Sequence, residues 1–262
     1  MRIVVTGHKG FIGSHVFRAL EADGHQVAGI DWPDDLRAVT GLDCDACVNL
    51  AAIGGAGRAA RLPRGVVENN VNATIALREA LEWHDNRPRV VHISSFSVYG
   101  DSAPSVEPKE LYGASKAMQE LCWVGYEPCA ILRCSSVYGP GMRLDDPEAT
   151  VIAKIAKCAR DGVPFPVYED GLQTRDWVHV NDVVDSVRAC LVPDFDLRWR
   201  SDVCSGQAVS IIAACIKMGA KYEMTGLARP GDMRHCLGNP SAMTALIKRN
   251  PTPFDPSCVA SS

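Results

Sequence analysis

The chain has 262 residues, 47% of them hydrophobic and 22% charged, with a net charge of −4. That length and apolar content suit one large α/β domain, or one domain with a small appendage, and are ample for a sizeable core. The acidic balance and the lack of a long basic run leave no electrostatic footprint for nucleic acid, and apolar stretches no longer than a strand exclude a spanning helix. Met1 runs at once into a core strand, which leaves no room for a signal peptide. The eleven cysteines are an odd number, and Cys134, Cys190 and Cys215 sit inside apolar runs. Reduced, buried thiols in a cytoplasmic protein are expected. Cys44 and Cys47 form a CxxC, but no second pair stands at zinc-ligand spacing, so no metal is expected.

Residues 2–5 are a short β-branched run of the kind found in strands buried on both faces. The run feeds into Gly7-His8-Lys9-Gly10-Phe11-Ile12-Gly13 and then into a helical stretch from Ser14 to Ala22. Strand, glycine loop and helix start together make a pyrophosphate site. Gly7 allows a tight turn, Gly10 lets a ligand approach the backbone, and Gly13 lets helix and strand pack. Unpaired N–H groups and the positive end of the helix dipole face the phosphates. Residues 26–30 make a second strand, ending at Asp31. A carboxylate there accepts both ribose hydroxyls of an adenosine and repels a 2′-phosphate, which favours NAD over NADP. Lys9, a cation in the glycine loop, pulls the other way; Asp31 outweighs it because it occupies the discriminating position.

Residues 32–45 leave room for one brief helix around 34–39. Residues 47–50 read as a strand closing on Ala51 and Ala52, small residues against which a flat cofactor can lie. The GGAGRAAR segment that follows reads as mobile. A helix over 66–84 carries Val67, Val71, Ile75, Leu77 and Leu81 as its apolar positions, and residues 89–93 make a strand running into Ser94 and Ser95. Beyond a proline- and acid-rich loop at 101–110, Tyr112 and Lys116 stand four apart on a helix and share one face. A nearby ammonium favours phenolate and lowers the tyrosine's pKa towards the working pH, and a lysine can also hydrogen-bond a ribose. His179, in an alternating WVHV run, reads as structural. Further helices are expected over 147–160 behind Asp146-Pro147, over 181–192 with Asn181 as cap, and over 209–218. From residue 250 the chain reads as an irregular or disordered tail.

A set of motifs now stands in order: TGHKGFIGSH at 6–15, NLAA at 49–52, NNV at 69–71, SSFSVYG at 94–100, YGASK at 112–116 and RCSSVYGPG at 133–141. GLQTRDWVHVNDVV at 171–184, SG at 205–206 and RPGD at 229–232 follow. Together they resemble the extended short-chain dehydrogenase/reductase family of nucleotide-sugar epimerases and dehydratases, from Met1 to about residue 245. The resemblance implies an α/β fold: a Rossmann-type doubly wound parallel sheet of about six or seven strands with a small C-terminal substrate-binding cap. Residues 1–165 would be mainly the NAD-binding domain, 166–250 mainly the cap, and 251–262 the tail. The family's acid/base tyrosine falls on Tyr112, its lysine on Lys116 and its substrate-bonding hydroxyl on Ser95, with Ser94 structural. Gly7, Gly10, Phe11, Ile12, Gly13, Asp31, Ala51, Ala52, Asn70 and Lys116 fall in the cofactor site. Ser95, Ser136, Arg175 and Arg229 fall in the substrate site, although the two arginines also read as ion-pair partners of Asp176 and Asp232.

The chain departs from the family in places. Ser136 replaces the usual Asn before VYGP, the loop from Ser95 to Tyr112 is short, and the region after residue 193 is compact. Phe96-Ser97 stands where members that eliminate water carry an acidic pair, so the resemblance implies redox at one carbinol rather than dehydration or decarboxylation. The expected activity is NAD-dependent epimerisation of a nucleotide-diphosphate sugar at C4, with a homodimer as one possible assembly. The alternatives are an NAD(P)H-dependent nucleotide-sugar (4-keto) reductase or dehydrogenase and a non-catalytic dinucleotide-sensing protein.

Overall fold

The computed structural model describes residues 1–31, 41–82, 87–101, 104–197, 199–228 and 233–259. β1 (Arg2–Thr6) is apolar at successive positions because both of its faces are covered. Ile3 and Val5 pack with Val16 and Leu20 of α1 (Phe11–Ala22), while Val4 packs on the opposite side with Cys47, Leu77 and Trp123. β2 (Gln26–Ile30) pairs with one edge of β1 and β3 (Ala46–Asn49) with the other, so the winding reverses direction at β1. β4 (Arg89–Ser95), β5 (Cys129–Cys134) and β9 (Trp199–Val203) complete a six-stranded parallel sheet of order β2-β1-β3-β4-β5-β9. Ligands of open α/β sheets bind beyond the strands' carboxyl ends at such a reversal. The glycine loop stands there.

One face of the sheet is covered by α1, α7 (Val180–Leu191) and α9 (Ser241–Ile247), and the other by α4 (Ala73–Glu82) and α5 (Leu111–Cys122). A second core lies beyond the main sheet. It gathers β6 (Ser136–Tyr138), β7 (Phe165–Val167), β8 (Thr174–His179), α6 (Val151–Asp161) and α8 (Ile211–Lys217) around Tyr138, Ile155, Phe165 and Trp177. β8 is flanked by β6 and by β10 (Ala208–Ser210), and β7 pairs with β11 (Tyr222–Met224).

Several elements differ from the sequence reading. The GGAGRAAR segment contains a helix, α2 (Ala56–Arg61), anchored by buried Ala59 and by ion pairs from Arg61 to Glu148 and Arg58 to Asp146. The helix expected over 66–84 is not continuous: α3 (Pro63–Val66) passes into a π turn at Val67–Asn72 before α4. A π turn inserts one residue and shifts every later position around the axis. Ile75, beyond the turn, is therefore exposed where a straight helix would bury it; Val67, at the turn's first position, is exposed as well, and Asn70 is buried. α6 starts at Val151, because Asp146 accepts the Glu148 N–H and makes a separate turn. α7 is capped by His179, whose Nδ1 accepts the Asn181 N–H at 3.2 Å, so Asn181 lies inside the helix. Residues 251–255 have no regular structure, yet they are not loose. Phe254 stacks on Trp177 with centroids 4.9 Å apart, and Tyr138 is hydrogen-bonded to both Pro253 and Asp255. The brief helix expected around 34–39 lies outside the described residues, except for its flanks.

Gly13 tests the packing of α1 on β1. A Cβ there would stand 2.1 Å from the Gly7 carbonyl oxygen, a backbone atom that cannot swing aside. Gly13→Ala is expected to cost about 1–3 kcal/mol in a denaturant titration. Gly54→Ala, whose Cβ meets nothing within 4 Å, is expected to leave the midpoint unchanged.

Candidate active site

Gly7 takes a positive φ of +72°, and a Cβ on it would lie 2.9 Å from the Ala51 nitrogen. Its N–H donates to the Ile30 carbonyl at 2.8 Å, and the Gly10 N–H donates to the Gly7 carbonyl at 3.0 Å. α1 begins at Phe11 behind Gly10 with no side-chain cap, while Phe11 and Ile12 pack back on the core. An uncapped helix start with glycine on its approach suits a diphosphate. At the tip of β2, the Asp31 carboxylate accepts the Lys9 N–H at 2.6 Å, which fixes it beside the glycine loop. At the tip of β3, the Ala51 N–H donates to Thr6 Oγ1 at 3.2 Å, and Ala52 is exposed next to it. The tight turn at Gly7, the close packing of α1 at Gly13 and the uncapped helix start behind Gly10, together with the carboxylate at Asp31, fit NAD.

Asn70 joins this end of the site to the helix that carries Tyr112. Its Oδ1 accepts the Ile53 N–H at 2.7 Å, and its Nδ2 donates to the Ser115 hydroxyl at 2.9 Å. That hydroxyl donates in turn to the Tyr112 carbonyl at 2.7 Å. The π turn is what lets Asn70 face inward.

Ser95 ends β4, and Tyr112 stands in the first turn of α5. The Ser95 hydroxyl accepts the Ser97 N–H at 3.1 Å. Lys116, only 3% exposed, donates from Nζ to the Ile93 carbonyl at 2.7 Å and to Gln119 Oε1 at 2.6 Å. Burial lowers Lys116 to about 8, with Cys134 and Glu120 acting in the other direction. The expectation that Lys116 would favour the Tyr112 phenolate is not what sets Tyr112 here. Burial raises Tyr112 to about 12, Glu110 and Cys134 add to the rise, and the Ser95 hydroxyl opposes it. The physical reason is local: the ammonium is turned down to a main-chain carbonyl and an amide rather than to the phenol.

On the substrate side, Ser136 is half-buried at the start of β6, and Arg175 lies on β8 with 8% exposure. Arg175 Nη1 donates to the carbonyls of Thr174 and Met233 at 2.8 and 2.7 Å. Asp176, its neighbour, points the other way along the strand and accepts the Ser205, Gly206 and Gly238 N–H groups. Arg229 and Asp232 lie outside the described residues.

Two residues at the site escaped the sequence reading. Gln119 holds Lys116 and also donates to Thr74 Oγ1 at 2.8 Å and to the Ala51 carbonyl at 3.3 Å. Its place three residues after Lys116, on the same helix face, was a usable signal. Glu110 caps α5 by accepting the Tyr112 and Gly113 N–H groups at 2.7 and 2.8 Å. Glutamate is not a favoured cap residue, so composition gave no hint of it.

The model of the NAD dependent epimerase/dehydratase family matches residues 3–194. A dTDP-L-rhamnose 4-epimerase of Burkholderia thailandensis is 36% identical over 138 residues, which are 49% of this chain and 38% of that enzyme. A UDP-N-acetyl-alpha-D-glucosaminuronate decarboxylase of Bacillus cytotoxicus is 29% identical over 231 residues, covering 72% of this chain and 71% of its own. A dTDP-glucose 4,6-dehydratase of Xanthomonas campestris is 29% identical over 239 residues, 72% of this chain and 67% of its own. Among solved structures, MoeE5 in complex with UDP-glucuronic acid and NAD matches with a TM-score of 0.87 at 26% identity, over 100% of this chain and 98% of that one. The parallel central sheet agrees with this likeness, and the family model spans most of the chain: the chain belongs to the NAD-dependent epimerase/dehydratase family.

Proposed function

We propose that the protein is an NAD-dependent epimerase of a nucleotide-diphosphate sugar, reacting at C4. The observation that carries this reading is the placing of Ser95, Tyr112 and Lys116 with, among the described residues, no acid beside Tyr112 except Glu110. Phe96 is buried in an apolar cluster with Val98, Tyr99 and Cys204, and Glu110 is engaged by the N-terminus of α5. Elimination of water would call for an acid and a base at a second carbon. Redox at one carbinol needs one proton carrier. The 4-epimerase relative supports the same choice, while the decarboxylase and dehydratase relatives support the coarser family activity.

NAD, when bound, supplies a hydride acceptor that later returns the hydride. Tyr112 takes the proton of the reacting hydroxyl and gives it back, and Ser95 hydrogen-bonds the same oxygen. Lys116 places a positive charge beneath them and a donor within reach of a ribose. Gly7, Gly10 and Gly13 hold the diphosphate, Asp31 the adenosine ribose, and Ala51 and Ala52 leave room for the flat ring. Ser136, Arg175 and Arg229 hold the sugar nucleotide, for which forked, permanently charged guanidinium groups suit a diphosphate. The oxidised sugar turns over before reduction on its other face, so NAD is not consumed. The protein would work as a homodimer through α4 and α5, where Ile75, Met118, Leu121 and Val124 are exposed by 41%, 44%, 67% and 64%.

Incubation with UDP-, GDP- and dTDP-hexoses is expected to give the C4 epimer of one of them without net NADH. Tyr112→Phe is expected to slow this by about 10²–10⁴-fold. Stoichiometric NADH with release of a keto sugar would instead identify a dehydrogenase. A second test is thermal. The unfolded chain keeps the Lys116 proton to about pH 10.5 and the folded chain only to about 8, so unfolding takes up a proton between these values. Stability relative to Lys116→Met is expected to rise with pH across that window and to be flat below it. Leu121→Asp is expected to halve the mass measured by light scattering; an unchanged mass would remove α5 from the interface.

A further inference from the structure

Ser94, Arg133 and Asp202 stand opposite one another on β4, β5 and β9, one residue short of the row that contains Ser95. Their side chains meet Glu120 of α5 in a continuous set of hydrogen bonds. One Glu120 oxygen accepts the Ser94 hydroxyl at 2.6 Å and Arg133 Nε at 2.8 Å, and the other accepts Arg133 Nη2 at 2.6 Å. Arg133 Nη1 donates to the Tyr99 hydroxyl at 2.9 Å, and that hydroxyl donates to Asp202 at 2.6 Å. The guanidinium also lies over the Tyr99 ring, 4.8 Å from its centroid. The Arg133 and Glu120 side chains are 6% and 5% exposed, and half-exposed Arg200 approaches Glu120 at 3.7 Å.

A pair this deeply buried is a poor source of net stability, because desolvation offsets the attraction and apolar residues of like volume often replace it without loss. What it does supply is direction. Two parallel N–H···O bonds are satisfied at one separation and one orientation of helix and strand. Tyr112, Lys116 and Glu120 follow one another at four-residue steps along α5, and Ser94 adjoins Ser95. The pair thus ties the helix that carries Tyr112 to β5, and the Ser94–Glu120 bond ties it to β4, which carries Ser95.

We propose that Glu120 and Arg133 are positioning residues for the acid–base chemistry: with Ser94 they hold α5 against β5 and β4, and so set Tyr112 against the strand end that carries Ser95. The proposal rests on the roles of Ser95 and Tyr112 given above and adds two residues too deeply buried to touch a substrate.

The test needs no substrate. Tyr112 is replaced by difluorotyrosine, whose phenol ionises well below that of tyrosine, and its titration is followed by fluorine NMR in the full-length protein. Ser95→Ala is the reference and is expected to raise the midpoint by about one unit, the worth of one hydrogen bond. The double variant Glu120→Leu with Arg133→Met removes a pair of no net charge and leaves Glu110 and Cys134 in place. It is expected to melt at or above the wild-type temperature and to raise the midpoint as Ser95→Ala does. A folded double variant with the wild-type midpoint would overturn the proposal. Should the double variant not fold, Arg133→Lys keeps the charge and loses the fork: a raised midpoint is expected, and a wild-type midpoint overturns the proposal. No shift in Ser95→Ala itself would overturn the Ser95–Tyr112 coupling, and the functional reading with it.

Discussion

The approach of α1 to β1 is the contact on which the rest of the site depends. With hydrogen alone on Gly13, the helix start settles on the Gly7 carbonyl, and its uncapped N–H groups open towards the strands' carboxyl ends. The consequences pass outward in steps. The Gly7 N–H holds Ile30 and so the tip of β2, where Asp31 receives Lys9. Ala51 lies against Gly7, which leaves Ile53 where Asn70 can bind it, and Asn70 reaches the Tyr112 backbone through Ser115. The cofactor cradle and the helix that carries Tyr112 are thus parts of one hydrogen-bonded assembly.

Burial, more than any neighbouring charge, sets the protons of that assembly. It pushes Lys116 down to about 8 and Tyr112 up to about 12, disfavouring the charged form of each. Paired perturbation of this kind marks sites of acid–base chemistry. Lys116 can be buried at all because a carbonyl and an amide oxygen receive its protons. The Ser95 hydroxyl acts against the rise at Tyr112.

What the sequence made legible was local. The glycine loop announced itself because turn, close approach and helix start all fall within seven residues. Tyr112 and Lys116 did so because four residues make roughly one helical turn. Four of the six strands of the main sheet, β1 to β4, were legible as short apolar runs, whereas β5 and β9 were not read from the sequence. What was missed depends on partners distant in the chain. The π turn at Val67–Asn72 turns inward a side chain, Asn70, that binds Ile53. The tail holds its place because Phe254 finds Trp177, and Lys116 faces away from Tyr112 because Ile93 and Gln119 compete for it. Arg133 and Glu120 are thirteen residues apart, and no spacing rule pairs them.

The central claim is that this site retains NAD and uses it without net consumption. The most direct measurement is the absorbance and mass spectrum of whatever small molecule the purified protein releases on denaturation. NAD or NADH is expected, close to one per chain. An empty protein that binds NADPH more tightly than NADH would contradict it, since Lys9 would then outweigh Asp31 and a cofactor-exchanging reductase would replace the epimerase.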